Sequence, residues 1–300
     1  MRVFVTGATG LVGRPLCAAL VGKGHAVTGL TRTASGAARL PPGVRPLQGD
    51  PASPGAWQEE LARCEACVNL AGEPLAAGRW NAERKRRIRE SRVRATENVA
   101  AVLRERGPAV LVNASAVGFY GSRGDEVLDE QSAPGAGFLA ETCLAWEAAA
   151  APASARARVV LLRTGLVLGS EGGALPELVR PFRLFAGGPL GDGAFWQPWI
   201  HLADEVGLVL LALEDERASG PMNASAPEPV RNRELAKAIG GVLHRPSALP
   251  APAFAMRLAL GEMAGVVLSS QRAVPRKALA LGYRHRFADL APALRDLLLR

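Results

Sequence analysis

Tyrosine is nearly missing from this 300-residue chain, which holds only Tyr120 and Tyr283. Lysine is almost as scarce: Lys23, Lys85, Lys237 and Lys277 are the whole set, and none stands between residues 85 and 237. Proton-transfer chemistry that needs a phenol beside an ammonium therefore has few residues to draw on. Cysteine is limited to Cys17, Cys64, Cys67 and Cys143, which makes no disulfide framework in a chain this long. Cys64-Glu-Ala-Cys67 has a metal-like spacing but no second pair and no nearby histidine. The two read as small buried hydrophobes, and no metal is expected. No stretch reaches ~18 uninterrupted apolar residues, the length a membrane span requires. The best candidate, Phe254 to Leu268, is broken by Arg257 and Glu262. The amino-terminal apolar run is too short for a signal peptide, so a soluble, cytoplasmic protein is expected. Acid is absent from the whole first segment: no Asp or Glu precedes Asp50.

What is present suits a well-buried globular chain, with 48% hydrophobic and 21% charged residues. Its length allows one large domain or two coupled lobes. The balance of 36 Lys and Arg against 28 Asp and Glu gives a net charge of +8, which favours anionic partners such as phosphate-bearing ligands. The basic run Arg84-Lys85-Arg86-Arg87-Ile88-Arg89, with Arg92 and Arg94, could suggest nucleic acid. At helical spacing, however, Ile88, Ala95, Val99 and Val102 form one apolar stripe and leave the cations to solvent. Stacking aromatics other than Trp80 are lacking nearby, so no nucleic-acid partner is expected. Short apolar runs alternate with helical-period segments. Strands are expected over 2–6, 26–30, 44–48, 67–70, 110–114 and 159–163, and helices over 11–21, 54–63, 82–106 and 139–150. That rhythm predicts an α/β fold, a doubly wound parallel sheet of the Rossmann kind. Residues 1–225 form the expected core, with a loop-rich insertion at about 171–197. Residues 226–300 form a smaller, mainly helical lobe.

The first strand runs into Gly7-Ala8-Thr9-Gly10-Leu11-Val12-Gly13, and Arg14 follows as the next helix opens. Gly7 permits a tight turn, Gly10 lets backbone approach a pyrophosphate, and Gly13 permits close helix–strand packing. The free N–H groups and dipole of the helix start favour phosphate charge. A dinucleotide site of this kind usually carries an acid about 20 residues on, to grip the ribose 2′-OH of NAD. Here the second strand ends in Thr31-Arg32 instead. A guanidinium can bind a 2′-phosphate that a carboxylate would repel, so Arg32, with Arg14 beside the loop, predicts NADP(H) over NAD. The alternative leaves Arg32 a solvated loop residue. Asp50, after the third strand, is placed to meet the adenine edge.

These residues resemble the extended and atypical short-chain dehydrogenase/reductases nearly end to end. Asn69-Leu70-Ala71-Gly72 is similar to that superfamily's strand end under the cofactor, and Ala114-Ser115-Ala116-Val117-Gly118-Phe119-Tyr120-Gly121 to its catalytic-serine strand. Arg163-Thr164-Gly165 resembles its sixth strand, and Trp199-Ile200-His201-Leu202-Ala203-Asp204 its W-I-H-x-x-D segment. More narrowly, Glu73-Pro74 with Gly78-Arg79-Trp80, Gly188-Pro189-Leu190-Gly191, Gly261-Glu262-Met263 and Gln271-Arg272-Ala273-Val274-Pro275 resemble one branch. That branch is named epimerase family, or nucleoside-diphosphate-sugar epimerases, with a C-terminal helical domain of unknown function. The resemblance implies that Leu70, Ala71, Gly72 and Arg163 also meet the cofactor.

The superfamily works by Tyr and Lys at Y-x-x-x-K spacing, assisted by Ser. This chain lacks the pair: Gly124 lies four residues after Tyr120, and Phe287 four after Tyr283. On the helix that should carry it, Phe138 or Leu139 replaces the Tyr and Thr142 or Cys143 the Lys. Ser115, at a strand's carboxyl end, can polarise a substrate oxygen or simply cap the strand. Tyr120 can supply a proton or pack under the nicotinamide. Glu73 is either an alternative acid/base or a loop-surface carboxylate, and His201 either holds an anion or is structural. The reading is an NADP(H)-binding protein with a small polar substrate, some of whose phosphate the Arg residues could meet. It would be an oxidoreductase or sugar-nucleotide epimerase of atypical mechanism. The rival reading is a non-catalytic NADP(H)-binding sensor or regulatory protein.

Overall fold

A computed structural model describes residues 1–299; Arg300, at the end of the expected C-terminal lobe, lies outside them. Seven strands form one parallel sheet: β1 (Arg2–Thr6), β2 (Ala26–Thr31), β3 (Val44–Gln48), β4 (Ala66–Asn69), β5 (Val110–Ala116), β6 (Arg158–Thr164) and β7 (Gly220–Ala224). Their spatial order is β7-β6-β5-β4-β1-β2-β3. The order reverses between β1 and β4, where an open α/β sheet leaves a crevice beyond its carboxyl ends.

The helices are α1 (Gly13–Gly22), α2 (Ala34–Ala37), α3 (Trp57–Ala62), α4 (Ala82–Glu105), α5 (Phe138–Ala150), α6 (Leu175–Arg183), α7 (Leu202–Glu214), α8 (Asn232–Leu243), α9 (Ala253–Leu260), α10 (Met263–Val267), α11 (Arg276–Ala280) and α12 (Leu290–Leu298). Successive strand residues face opposite layers, which explains why the strands read as continuous apolar runs. Val3, Val5, Val68 and Val112 pack with Leu16 and Leu20 of α1 and Leu208 and Val209 of α7. Phe4, Cys67 and Leu111 pack on the other side with Trp57, Leu61, Val99 and Leu103 from α3 and α4. Each such large side chain contributes about 1.5–3 kcal/mol on burial.

Helix α4 follows from its sequence. Asn81 caps it by accepting from the Arg84 N–H at 2.7 Å, Glu83 lies in the first turn and Arg104 in the last. Its stripe of Ile88, Ala95, Val99 and Val102 is buried as the spacing predicted, while Arg86, Arg87 and Arg94 stay exposed. Arg84 and Arg92 depart from that expectation: Arg84 is buried against Glu73, and Arg92 is half-buried between Gly72 and Trp146.

The structure adds elements to the sequence reading. The expected loop-rich insertion contains α6, whose Leu175, Val179 and Phe182 join Leu235, Ile239 and Leu294 in a second core under α8 and α12. Strand β7 extends the sheet, and α12 closes the helical lobe. From that lobe the chain returns to the core, where Arg272–Ala273 pairs in parallel with Val127–Leu128. Ser270 and Gln271 then hydrogen-bond to residues 121–124.

Candidate functional site

At the end of β1 the chain turns through Gly7 with φ of +65°, and a Cβ there would lie 2.7 Å from the Leu70 carbonyl oxygen. A Cβ on Gly13 would meet the Gly7 carbonyl oxygen at 2.1 Å, so α1 can start against the loop only without a side chain. Gly10 is different: it is exposed, and its Cβ direction meets nothing but the Gly7 oxygen at 3.2 Å. Packing does not require that glycine, whereas backbone approach by a ligand would. Thr9, Leu11 and Val12 border the same turn; α1 carries no acid in its first turn, which leaves its positive end unneutralised. Arg14 is exposed and pairs with Glu171 at 3.5 Å.

Beyond this turn, Thr31 and Thr33 shape the tip of β2. The Thr31 hydroxyl donates to the Thr33 carbonyl at 2.7 Å, and the Thr33 hydroxyl caps α2 by accepting from the Gly36 N–H at 3.0 Å. Arg32 projects between them, exposed, and no carboxylate lies within 4.0 Å of its guanidinium among the described residues. Asp50 is exposed nearby and accepts from the Ala52 N–H at 3.0 Å.

The end of β4 is fixed by a buried polar ladder that the sequence reading missed. Thr6 donates to Asn69 at 2.6 Å, and the Asn69 amide donates to Thr96 at 2.9 Å and Asn113 at 2.7 Å. Trp146 of α5 donates to Thr96 at 2.9 Å. The Leu70 and Ala71 N–H groups turn back onto the Thr6 hydroxyl. This ladder delivers Leu70, Ala71 and the exposed Gly72 to the edge of the glycine turn.

Ser115, Tyr120 and Arg163 meet in a second buried network. The Ser115 hydroxyl donates to Glu147 of α5 at 2.7 Å. Arg163, only 3% exposed, holds both Glu147 oxygens at 2.8 Å and donates to the Tyr120 hydroxyl at 3.1 Å. Tyr120 in turn donates to Asn223 at 2.7 Å, and burial pushes its phenol pKa up. Thus Arg163 grips Glu147 rather than facing the glycine turn. Alternation along β5 puts Ser115 on the face of Leu111 and Asn113, toward α5.

Glu73 is engaged as well. Its carboxylate pairs with Arg84 at 2.6 Å, and its N–H donates to the Ser91 hydroxyl. Tyr283, the other phenol, donates to Asp204, which also accepts from the Arg286 and Phe287 N–H groups. His201 caps α7 through the Ala203 N–H at 3.0 Å and stacks on Phe287. Glu205 is 2% exposed, accepts from the Thr164 hydroxyl at 2.8 Å, and has its pKa pushed up by burial to about 8.

A cavity of about 240 Å³ opens beside the start of α5, lined by Trp80, Gly118, Phe138, Leu139, Val266 and Gln271 among others. Trp80 meets Phe138 edge-on at 5.2 Å, and Lys85 pairs with Glu262 at 2.6 Å across the rim. Phe138 and Leu139 give the cavity's wall apolar surface. Cys143, one turn on, is buried, and its thiol is pushed up to about 11.

Comparison with known proteins agrees with this geometry. The model of the NAD dependent epimerase/dehydratase family matches residues 3–224, and a domain of unknown function, DUF1731, matches residues 251–297. The chloroplastic epimerase family protein SDR39U1 homolog of Arabidopsis thaliana is 42% identical over 303 residues, covering 99% of this chain and 87% of the relative. Epimerase family protein YfhF of Bacillus subtilis is 37% identical over 302 residues, covering 99% and 98%. The human epimerase family protein SDR39U1 (isoform 2), solved with NADPH, superposes with a TM-score of 0.88 at 33% identity over 99% of both chains. With the sheet, the glycine turn and the C-terminal helices all accounted for, this chain belongs to the NAD dependent epimerase/dehydratase family.

Proposed function

We propose that this protein binds NADP(H) across the β1/β4 crevice and presents it to a small polar substrate in the cavity beside α5. The observation that carries the reading is Arg32, an exposed cation at the tip of β2 with no carboxylate within 4.0 Å of its guanidinium among the described residues. The glycine turn and the unneutralised start of α1 suit the pyrophosphate, with the N–H groups of Thr9, Leu11, Val12 and Gly13 and the side chain of Arg14 around it. Arg32 and Thr31 suit the 2′-phosphate, Asp50 borders the adenine, and Leu70, Ala71 and Gly72 line the path toward the nicotinamide. The NADPH bound by the human relative supports the same choice. When bound, the cofactor would supply hydride exchange at the nicotinamide ring.

The chain's own contribution is orientation more than proton transfer. Ser115, Tyr120 and Glu73 each have their polar atoms engaged by protein partners, and burial makes Tyr120 a still weaker base. In this reading Ser115 and Tyr120 act through Glu147 and Arg163, holding the ends of β5 and β6 in register beneath the cavity. Those same engagements favour a second reading, in which the protein senses NADP(H) without turnover. Arg32→Ala tests the cofactor reading: NADPH affinity should fall about tenfold or more while NADH affinity stays within about twofold. Equal losses for both coenzymes would refute it. Incubating the NADPH complex with carbonyl compounds and sugar nucleotides, and following NADPH absorbance, separates enzyme from sensor.

A further inference from the structure

The chemistry of its walls decides what the cavity beside α5 can hold. Among the described residues no arginine, lysine or histidine lines it, although the chain carries a net charge of +8. Glu262 is the one charged group on the wall among those residues, and Lys85 holds it at 2.6 Å. Arg79, next to Trp80 in the chain, is turned to the Leu258 carbonyl at 3.1 Å. The Trp80 indole N–H is taken by the Leu75 carbonyl at 2.9 Å, which leaves its ring, edge-on to Phe138, as wall. Gln271 spends both amide hydrogens, on the Gly121 carbonyl at 3.0 Å and the Ser269 hydroxyl at 2.8 Å. Ser122 accepts from the Ser270 N–H at 3.1 Å, and its own O–H reaches no protein acceptor among the described residues.

A nucleoside diphosphate sugar does not suit those walls. Its phosphate charges need guanidinium or ammonium donors, and burying them unpaired beside Glu262 is costly. Size points the same way: pockets for drug-sized ligands run from about 300 to 1,000 Å³, whereas this cavity holds about 240 Å³. A second hollow of about 550 Å³, lined through Gly124 and Ser270, offers no better seat, because Asp125 and Asp192 face its single Arg231 and Asp125 holds that guanidinium at 2.8 Å. We infer that the α5 cavity takes a small uncharged molecule with an apolar, ring-sized body and one oxygen, and not a nucleoside diphosphate. The body packs between Trp80, Phe138, Leu139 and Val266, and the oxygen accepts from the Ser122 hydroxyl.

The inference rests on the reading above that this cavity is the substrate's, and it narrows that substrate to one with a single polar end. Acetophenone and UDP-glucose are the probes, titrated by calorimetry into the full-length protein with and without saturating NADPH. Acetophenone should bind saturably, with a Kd of about 1 mM or tighter, and UDP-glucose about tenfold more weakly or not at all. Val266→Trp, which fills the cavity from α10, should weaken acetophenone about tenfold or more, and Phe138→Ala serves if that variant does not fold. Ser122→Ala, at an exposed position, should weaken acetophenone about threefold or more while leaving ethylbenzene, which has no oxygen, within about twofold. UDP-glucose binding as tightly as acetophenone or displacing it, no binding of acetophenone, or acetophenone binding that Val266→Trp and Phe138→Ala leave unchanged would each overturn the assignment, whatever NADPH does. Failure of NADPH itself to bind would overturn the cofactor reading, and the titrations in the free protein would still decide what the cavity holds.

Discussion

Replacing Glu205 by Gln should change the pH dependence of stability. Glu205 is buried against Thr164, and burial raises its pKa from 4.5 to about 8. Between those values the unfolded chain has released the proton and the folded chain still holds it, so stability contributed by this group falls as pH rises. At about 1.4 kcal/mol per pKa unit, the decline between pH ~5 and pH ~8 comes to about 3 kcal/mol, and it levels off above the folded pKa. Glutamine has no proton to release and keeps an acceptor for the Thr164 hydroxyl. Urea denaturation of both proteins at the two pH values isolates the effect, because every other titrating group cancels in the difference. Relative to wild type, the variant should gain about 3 kcal/mol more at the higher pH than at the lower. Stability differences that are equal at both pH values would refute the reasoning, because Glu205 would then ionise alike in both states.

Two further outcomes follow from the same geometry. Glu147→Ala leaves Arg163 buried without its two-pronged partner and should cost about 3 kcal/mol or more in urea, with Glu147→Gln losing less; a cost below about 1 kcal/mol would mean that the network contributes little. Gly13→Ala forces a methyl onto the Gly7 carbonyl and should lower both melting temperature and NADPH affinity, by about tenfold for the latter. Gly22→Ala, in the same helix with open space around the added carbon, is the control and should be neutral or mildly stabilising.

The glycine turn was legible because its function is local: three glycines at fixed spacing between a strand and a helix leave few other geometries. The acid-free stretch before Asp50 was equally plain. Strand β7 escaped because Gly220 and Pro221 open it, a pairing tolerated here because β7 is the edge strand. Helices α6 and α12 were hidden by Pro176, Pro181 and Pro292, residues that ordinarily argue against helix. The roles of Ser115 and Arg163 were harder to read, since each depends on how α5 packs across β5 and β6. Strand alternation offered one usable signal: Ser115 shares parity with Leu111, which points it into the layer beneath α5. The Asn69–Thr96–Asn113 ladder joins α4 to strands distant in sequence, and no spacing rule connects them.

The return of residues 270–273 to the core anchors the segment of α8 to α10 at both of its ends. A lobe joined by a single linker can swing as a rigid body. Here the chain leaves the sheet after β7, builds α8 to α10, and is pinned again through Ser270, Gln271 and the short pairing at Val127. Swinging the lobe outward would tear those bonds, so any opening of the α5 cavity would come from local yielding of α10 and the Arg79–Trp80 loop. Cutting the chain anywhere between residues 244 and 270 would convert that buckle into a free end.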